Sequence, residues 1–292
     1  MDLLRNMRYG IFRINILNTR PGLPAETIRK TIMTYTAVHY MKTDTIGRIT
    51  FSRPDTLNTI NRKMIPVFRD ILCSVKEDKD LRCLIITGSG TTFCGGADLK
   101  SGFEKNHGTF LNDALLDFYR PFLEITNLKV PVIAAINGHA IGGGFGIALL
   151  CDIRVVSLKA KMGANFARLG IHSGMAISYI LPRLVGVARA NELLYTGRII
   201  TGEEALSMGL VNYAVEKEKV MDKTMALAEE ISKSAPVAVQ MMKRSVYDGL
   251  DWNLVRTADM EARNQALTFE MEDAKEGISS ILEKRTPIFT GR

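Results

Sequence analysis

The sequence predicts an α/β fold followed by a helical C-terminal region. From Thr34 onward, short β-rich runs alternate with amphipathic helical runs and glycine-rich loops, in a unit that recurs about every 50 residues. From Lys217 to the end, only helical patterns occur. We therefore divide the chain into an N-terminal extension (1–32), a layered or spiral α/β core (33–230) and a helical C-terminal region (231–292).

The first unit is predicted from periodicity and turn residues. Tyr35–Tyr40 and Gly47–Ser52 indicate a β-hairpin. An amphipathic helix is then predicted, in which Pro66 would make the first turn irregular. Cys83–Thr87 indicates a short buried strand, and Gly88–Asp98 a glycine-rich loop. The predicted helix has one apolar face, formed by Ile60, Met64, Val67, Phe68, Ile71, Leu72 and Val75.

The second unit repeats this order. A helix is predicted over Phe110–Ile125 and a strand over Pro131–Ile136, followed by three consecutive glycines, Gly142–Gly144, and an apolar helix that ends at Cys151–Asp152. These glycines stand where a helix begins, so the backbone N–H groups there lack intrahelical partners and lie at the positive end of the helix dipole.

The last part of the chain carries clear helix signals. Thr201–Met208 is predicted as a short helix with Thr201 and Glu204 as a capping box. Val211–Val215 indicates one more strand. The helical patterns that follow are interrupted at Ala235–Pro236 and at Gly249.

Charge and composition exclude several classes of function. The net charge is +7, but residues 1–32 hold six basic and two acidic residues, so much of the excess lies there. Without a recognition motif, this is a weak case for nucleic-acid binding, whereas a mild positive balance suits a phosphate-bearing small molecule. No apolar run approaches the roughly 20 residues that span a bilayer, so no membrane helix is expected.

The N-terminal extension and the cysteines bear on the compartment. The Arg-rich segment 1–32 is either an organelle-targeting leader or the product of an upstream start codon, with Met33 as the natural first residue. We expect a cytoplasmic protein, or a mitochondrial one if the segment is a leader. Cys73, Cys83, Cys94 and Cys151 have no metal-type spacing and are expected to be reduced thiols.

Two glycine-rich loops, at Gly95–Asp98 and Gly142–Gly144, follow two consecutive predicted strands. If the strands are neighbours, one N–H group from each loop can converge on a single oxygen and form an oxyanion hole. The alternative is that the glycines only permit tight turns. No G-x-G-x-x-G stands in the first strand–helix unit and no Gly-Lys-Ser/Thr occurs, which argues against dinucleotide and P-loop sites.

The chain resembles the crotonase superfamily, the enoyl-CoA hydratase/isomerase family. The resemblance extends over nearly everything after residue 34, in the order of the family. The matching segments are Ile49–Asn58 (ITFSRPDTLN), Phe93–Lys100 (FCGGADLK), Val130–Asp152, Leu181–Gly186 (LPRLVG), Leu194–Val211 (LYTGRIITGEEALSMGLV) and Glu283–Phe289 (EKRTPIF).

This resemblance implies a spiral of ββα units, a C-terminal region used in trimerisation, and a homotrimer or a hexamer built from two trimers. It implies an acyl-CoA substrate, with coenzyme A as part of the substrate and no separate cofactor or metal. The N–H groups of Ala97 and Gly143 would form the oxyanion hole for a thioester enolate. The tail residues Lys284 and Phe289 would reach a CoA in this or a neighbouring subunit. The CoA and pantetheine path would be lined by Thr56, Leu57, Gly95, Asp98, Leu99 and Gly142.

The sequence departs from this pattern where hydratases of the family carry two glutamates. Here the two positions are Gly146 and Phe166. Neither side chain can position water or transfer a proton, and each such group contributes about 10²–10⁴ in rate. His172, six residues after Phe166, is a candidate replacement base; the alternative is a hydrogen-bonded loop residue. Tyr119 and Glu124 lie on the helix before the second strand, and we expect Glu124 to face away from the pocket.

Three functional hypotheses follow. The first is an acyl-CoA enzyme of the hydratase/isomerase type with an unusual base. The second is decarboxylation of a malonyl-type thioester, in which loss of carbon dioxide creates the enolate without a base. The third is an acyl-CoA-binding pseudoenzyme without turnover.

Overall fold

The computed structural model describes residues 37–98 and 111–292, together with the backbone of 14–18 and 28–34. Within these residues the largest element is an eight-stranded sheet. Its strands, in spatial order, are β1 (Ile14–Asn18), β2 (Ile28–Thr34), β3 (Val38–Thr43), β4 (Ile46–Phe51), β5 (Cys83–Gly88), β7 (Val132–Ile136), β9 (Ile153–Ser157) and β12 (Tyr213–Val215).

The eight-stranded sheet is antiparallel at one edge and parallel elsewhere. Strands β1 to β4 pair in antiparallel fashion, and β3 and β4 form the predicted hairpin. Every pair from β4 to β12 is parallel. The central strands β5 and β7 are buried along their whole length, because a parallel sheet is covered on both faces.

A second, four-stranded sheet is built from short strands, three of which each follow a strand of the first sheet. Its order is β11 (Ile200–Thr201), β10 (Lys161–Gly163), β8 (His139–Ile141) and β6 (Thr92–Cys94). Strand β6 follows β5, β8 follows β7, and β10 follows β9, so each unit places one strand in each sheet. This arrangement confirms the predicted α/β class and its repeated units.

The short strands correct the sequence prediction in one place. The segment Gly88–Asp98, predicted as a loop, contains β6. Three residues are too few to show a period of two, so the sequence carries no strand signal there.

The described helices match the predicted pattern closely. The apolar face of α1 is buried from Met64 to Val75, as predicted, but Ile60 precedes the helix and pairs with Ala97 instead. Pro66 does not disturb the first turn, because the third N–H of a helix has no intrahelical acceptor. None of the helices in the described part of the chain is long and apolar enough to cross a membrane. The helices are α1 (Met64–Glu77), α2 (Leu111–Leu123), α3 (Gly143–Leu150), α4 (Ile177–Val185), α5 (Val187–Thr196), α6 (Gly202–Ser207), α7 (Val220–Ser232), α8 (Pro236–Gly249), α9 (Leu254–Phe269) and α10 (Glu272–Leu282).

The predicted helix boundaries in the last third of the chain are confirmed. The Thr201 hydroxyl accepts a hydrogen bond from the Glu204 N–H at 3.1 Å, and the Glu204 carboxylate accepts one from the Thr201 N–H at 2.8 Å, which is the capping box of α6. Helix α8 begins at Pro236 and ends at Gly249. The division at residues 32/33 and 230/231 stays a prediction; the first position lies within β2 and the second within α7.

Aromatic side chains join both sheets to helices α1 and α2. Phe68 of α1 lies 5.9 Å from Phe51 of β4 and 4.8 Å from Phe122 of α2, between ring centroids. Phe51 also meets Phe93 of β6 edge to face at 6.2 Å. All four rings are fully buried. Because Phe93 immediately precedes Cys94–Ala97, this cluster fixes the strand from which the first glycine loop leaves.

A buried polar junction attaches α8 to the sheet. The carboxylate of Asp152 accepts hydrogen bonds from the Val132 N–H and from the Tyr247 hydroxyl, both at 2.7 Å. Lys243 places its Nζ 2.8 Å from the same carboxylate and 3.0 Å from the carbonyl oxygen of Val130. Burial and the charge of Asp152 raise the pKa of Tyr247 far above its usual range, so the phenol stays a donor.

We predict that Lys243→Met lowers the free energy of unfolding by about 3 kcal/mol, because it removes the cation that directly contacts the largely buried carboxylate of Asp152. Urea unfolding at fixed protein concentration measures the change. Arg263→Met, which breaks an exposed ion pair with Asp259 on α9, is the control and should leave the midpoint unchanged. Equal effects of the two substitutions would contradict a special role for the junction.

Candidate active site

The two glycine loops meet at Gly96 and Gly143. A methyl carbon placed on Gly96 would lie 3.1 Å from the nitrogen of Gly143 and 2.8 Å from the carbonyl oxygen of Ile141. One placed on Gly143 would lie 3.7 Å from the nitrogen of Ala97. The φ of Gly96 is +91°, which L side chains rarely adopt. The approach of the two amide nitrogens therefore depends on a residue without a side chain at position 96.

The N–H of Ala97 is aimed by its pairing with Ile60. The Ile60 N–H donates to the Gly96 carbonyl at 2.8 Å, and the Asp98 N–H donates to the Ile60 carbonyl at 2.9 Å. In a parallel bridge of this kind, Ile60 bonds to Gly96 and Asp98, and the N–H and carbonyl of the intervening residue, Ala97, point away from Ile60. The N–H of Ala97 thus points away from Ile60, and it has no acceptor among the residues that the structure describes.

The N–H of Gly143 is free because α3 starts there. The first intrahelical hydrogen bond runs from the Gly146 N–H to the Gly142 carbonyl at 3.0 Å, and the Gly142 N–H is occupied by the carbonyl of Gly163 at 2.9 Å. In the described part of the chain, the Gly143 N–H finds no acceptor either. It lies at the positive end of the helix dipole, so the pair formed with Ala97 can stabilise negative charge on one oxygen.

The third glycine of the triplet has a packing role. A methyl carbon on Gly144 would overlap the carbonyl group of Cys94, so α3 rests directly on the backbone of β6. The triplet therefore serves both purposes that the sequence suggested. Gly143 offers an N–H group, and Gly144 permits the close approach of α3 to β6 that positions this group.

Gly146 faces Met175. A methyl carbon on Gly146 would lie 2.5 Å from Cβ and 3.2 Å from Cγ of Met175. Met175 is 1% exposed and has a φ of +57°, and the next residue, Ala176, has a φ of +54°. Two consecutive non-glycine residues in the left-handed region are strained, and such strain collects at functional sites. The apolar side chain of Met175 therefore fills the space that the first atoms of a side chain at position 146 would need.

Phe166 lies beside the same turn. Its Cζ would be 3.7 Å from a methyl carbon on Gly142, and the half-buried ring packs against the main core. The position is part of a 3-10 helix, Asn165–Leu169. Both positions at which the family resemblance expects a glutamate are thus near the glycine triplet, and both are apolar.

The structure places both His172 and His139 at exposed positions. The imidazole of His172 is on an exposed loop, with Nδ1 2.7 Å from the carbonyl oxygen of Ser173. Its role as a base stays a prediction. His139 begins β8, and its Nδ1 accepts a hydrogen bond from the Lys161 N–H at 3.0 Å.

Two other titratable candidates have structural surroundings. Glu124 pairs with Lys76 at the surface, as expected for a residue facing away from the pocket. Cys94 is completely buried, which raises the pKa of its thiol to about 12. The thiol is therefore neutral at physiological pH and acts in packing.

The segment expected to line the CoA path joins the first glycine loop. The Gly95 N–H donates to the Leu57 carbonyl at 2.9 Å, and Asp98 pairs with Arg53 at 3.3 Å. Thr56 and Leu57 are exposed, and the φ of Leu57 is +55°. Leu99 lies outside the described residues.

The expected tail contacts lie at the other end of β5. The ring of Phe289 packs against Gly277 of α10, and its carbonyl accepts a hydrogen bond from Arg82 at 2.7 Å. Arg82 precedes β5, whereas the segment that leads to Gly95 leaves its far end. Lys284 is exposed, with a φ of +53°. Within one chain, the tail and the glycine loops are thus at opposite ends of this strand.

Two site residues escaped the sequence analysis. Met175 gives no signal, because a methionine in a loop is ordinary. For Tyr119, the sequence predicted only that it lies on a helix. Its hydroxyl lies so close to Gly174 that a methyl carbon on Gly174 would overlap it. Among the described residues, no cluster of His, Cys, Asp and Glu side chains has the arrangement of a metal site.

Comparisons with known proteins show the family to which the chain belongs. Residues 41–292 match the profile of a family described as enoyl-CoA hydratase/isomerase. The chain is 34% identical over 252 residues to a Bacillus subtilis protein named putative enoyl-CoA hydratase/isomerase YngF, covering 86% of this chain and 96% of that protein. It is 33% identical over 266 residues to a Syntrophomonas wolfei crotonyl-CoA hydratase, covering 89% and 100% of the two chains.

Solved structures give the same result for the fold. A Bacillus anthracis enoyl-CoA hydratase superposes with a TM-score of 0.82 at 32% identity, over 90% of this chain and 99% of that one. One from Geobacillus kaustophilus superposes with a TM-score of 0.85 at 29% identity, over 90% and 100%. The spiral of ββα units is therefore the crotonase type that the resemblance predicted.

The contact between Gly146 and Met175 generates a prediction. Gly146→Ala should destabilise the protein by about 1–3 kcal/mol, because its methyl group overlaps a buried, strained residue. Adding Met175→Gly should recover part of that loss, since it removes the obstructing Cβ. Thermal or urea unfolding of both single variants and the double variant gives the coupling.

The control for this pair is Gly277→Ala. Gly277 is also helical, but a methyl carbon there meets only the Phe289 ring at an ordinary 3.5 Å. This substitution should leave stability unchanged or raise it slightly. If Gly146→Ala behaves like this control, Met175 does not fill the space beside position 146.

Proposed function

Because this chain belongs to the enoyl-CoA hydratase/isomerase family, we propose that it binds an acyl-CoA thioester and stabilises its enolate. The thioester oxygen would accept hydrogen bonds from the N–H groups of Ala97 and Gly143. The observation that supports this is that both N–H groups face one space and lack acceptors among the described residues. Donors fixed in advance stabilise charge as it develops and need no reorganisation during the reaction.

This site lacks the two carboxylates that hydration would use, at positions 146 and 166. Gly146 is backed by Met175, and Phe166 turns an aromatic ring toward the glycine triplet. Addition of water needs one group to position and deprotonate the water and another to protonate carbon, and each contributes about 10²–10⁴ in rate. The apolar wall supplies neither group, so this route is disfavoured here.

Decarboxylation of a malonyl-type thioester is the reaction that the site favours. The bond between the α-carbon and the carboxylate breaks, its electron pair enters the thioester enolate, and neutral carbon dioxide leaves. No base is required. A carboxylate beside Met175 and Phe166 loses hydration, whereas carbon dioxide does not depend on it, so an apolar wall promotes the loss. An isomerase with one proton-handling group and a non-catalytic acyl-CoA-binding protein are the competing outcomes.

We further propose that the protein forms a homotrimer, alone or as a hexamer, through its C-terminal helices. Helices α9 and α10 and the segment before them expose large apolar side chains, which is unusual for a free surface. In such an assembly Lys284 and Phe289 would meet the CoA of a neighbouring subunit. The exposed side chains are Leu250, Leu254, Val255, Leu267, Phe269, Ile281 and Leu282.

Calorimetric titration and a turnover panel test the function together. The panel consists of crotonyl-CoA, a 3-enoyl-CoA and methylmalonyl-CoA, and the last should be the substrate that is consumed. Binding of every thioester without turnover would identify a binding protein. Absence of binding at millimolar concentration would overturn the acyl-CoA proposal altogether.

We predict that Gly143→Pro abolishes the donor while preserving the helix. Proline is tolerated at the first position of a helix and lacks an N–H. Turnover should fall by about 10²–10³, as for the loss of other oxyanion-hole donors. Gly143→Ala keeps the N–H, and its methyl group meets nothing closer than 3.7 Å, so it is the matched control and should remain active. Equal activity of the two variants would rule out this N–H as a donor.

We also predict that hydration can be installed, but only with three substitutions. Gly146→Glu and Phe166→Glu supply the carboxylates, and Met175→Gly makes room for the first of them. The triple variant should hydrate crotonyl-CoA, as followed by loss of the enoyl thioester absorbance. The double variant with Met175 intact is the control and should be inactive or unstable. Activity in the double variant would show that Met175 moves aside freely.

A further inference from the structure

The proposed enolate requires a proton at its α-carbon, and among the described residues Tyr119 brings a side chain able to supply it to the wall beside Gly146. Met175 and Phe166 carry no exchangeable proton. Tyr119, on the inner side of α2, places its hydroxyl directly against Gly174, the residue before Met175. Since consecutive Cα atoms are about 3.8 Å apart, the hydroxyl lies on the same short stretch of wall as the contact between Met175 and Gly146.

The surrounding elements hold Tyr119 in a defined position. Its ring meets Phe118 edge to face, with centroids 6.1 Å apart, and packs against the main core. A methyl carbon on Gly174 would overlap the hydroxyl and lie 2.8 Å from Cζ, so the close approach depends on glycine there. Helix α2 also packs against α3, which carries Gly143 and Gly146.

The hydroxyl of Tyr119 is available to a ligand. Within residues 37–98 and 111–292 it has no hydrogen-bond partner. The completely buried side-chain atoms that lack partners in this part of the chain are those of Tyr40 and Thr92, so the oxygen of Tyr119 reaches accessible space. A half-buried phenol without a partner, beside an otherwise apolar wall, is suited to meet a reacting atom.

We propose that the Tyr119 hydroxyl donates the proton to the α-carbon of the thioester enolate, an inference that rests on the proposed function. After carbon dioxide leaves, the electron pair of the enolate takes this proton to form the C–H bond of the product thioester. The phenolate that remains takes a proton from water, which restores the enzyme. No electrons are gained or lost overall.

The ionisation state of the residue agrees with this role. Burial raises the pKa of Tyr119 above its usual value of 10.0, so at neutral pH the side chain is a neutral phenol. It is therefore an acid before the reaction and not a base. This suits a reaction whose enolate forms by loss of carbon dioxide, and it does not suit one that begins with removal of a proton.

The stereochemistry of decarboxylation in D₂O tests the inference. Methylmalonyl-CoA is converted in short reactions, and the configuration of the deuterium at C2 of propionyl-CoA is read by NMR after derivatisation with a chiral alcohol. The wild type should give a single configuration. Tyr119→Phe should be slower by about 10² and give both configurations, because solvent then delivers the deuteron from either side.

Controls separate this role from a structural one. Tyr179→Phe changes an exposed tyrosine on α4 and should match the wild type in rate and stereochemistry. Tyr119→Phe should bind propionyl-CoA in calorimetry as the wild type does, with the loss in kcat. A Tyr119→Phe enzyme that is slower but still gives a single configuration, or that keeps the full rate, overturns the inference while leaving decarboxylation intact. A wild type that binds methylmalonyl-CoA and releases no carbon dioxide overturns the proposed decarboxylation, and the Tyr119 inference with it.

Discussion

The contact on which the rest of the site depends is the close approach of α3 to the backbone of β6. It is possible because Gly144 has no side chain to hold the helix away from Cys94. The aromatic cluster fixes β6 from the other side through Phe93. With both elements immobilised by packing, the amides of Ala97 and Gly143 are held close together without the use of a polar side chain. A site made of backbone donors has the advantage that no rotamer has to be ordered when ligand binds.

The chemistry of this site is divided between two surfaces. One is polar and consists of peptide groups at the start of a helix, where the dipole adds to the hydrogen bonds. The other is apolar and consists of Phe166 together with Met175, which is buried behind Gly146. Electrostatic interactions are stronger when water is absent, so in the proposed function this apolar side would increase the effect of the two donors. If Gly146 and Phe166 stand at the positions of the two glutamates, as the family resemblance implies, the substitutions that disfavour hydration would also favour the proposed oxyanion hole.

Much of this arrangement could be predicted from the sequence, and what could not has a physical cause. The long strands, the amphipathic α1 and the capping box of α6 follow from local patterns. The glycine-rich segments after consecutive strands predicted that one N–H group from each loop could converge, and the family resemblance assigned these groups to Ala97 and Gly143. Strand β6 was missed because three residues show no periodicity. Met175 was missed because its importance lies in what it contacts: only the fold brings residue 175 against residue 146. The orientation of Tyr119 was missed for the same reason, since a helix position gives a face and not a neighbour.

The polar junction at Asp152 has a consequence for how the site responds to events elsewhere. Asp152 lies just beyond the end of α3, and Gly143 lies at its beginning. The helix is completely buried over eight residues, so it is a rod of about 12 Å with one end at the glycine triplet and the other held to α8 through Asp152 and Lys243. Force applied to the C-terminal helices is thereby transmitted to an amide that must stay within a fraction of an ångström of its place. If the C-terminal helices pack against neighbouring subunits as proposed, those contacts would add to the rigidity of the proposed oxyanion hole, and assembly and catalysis would share one mechanical element.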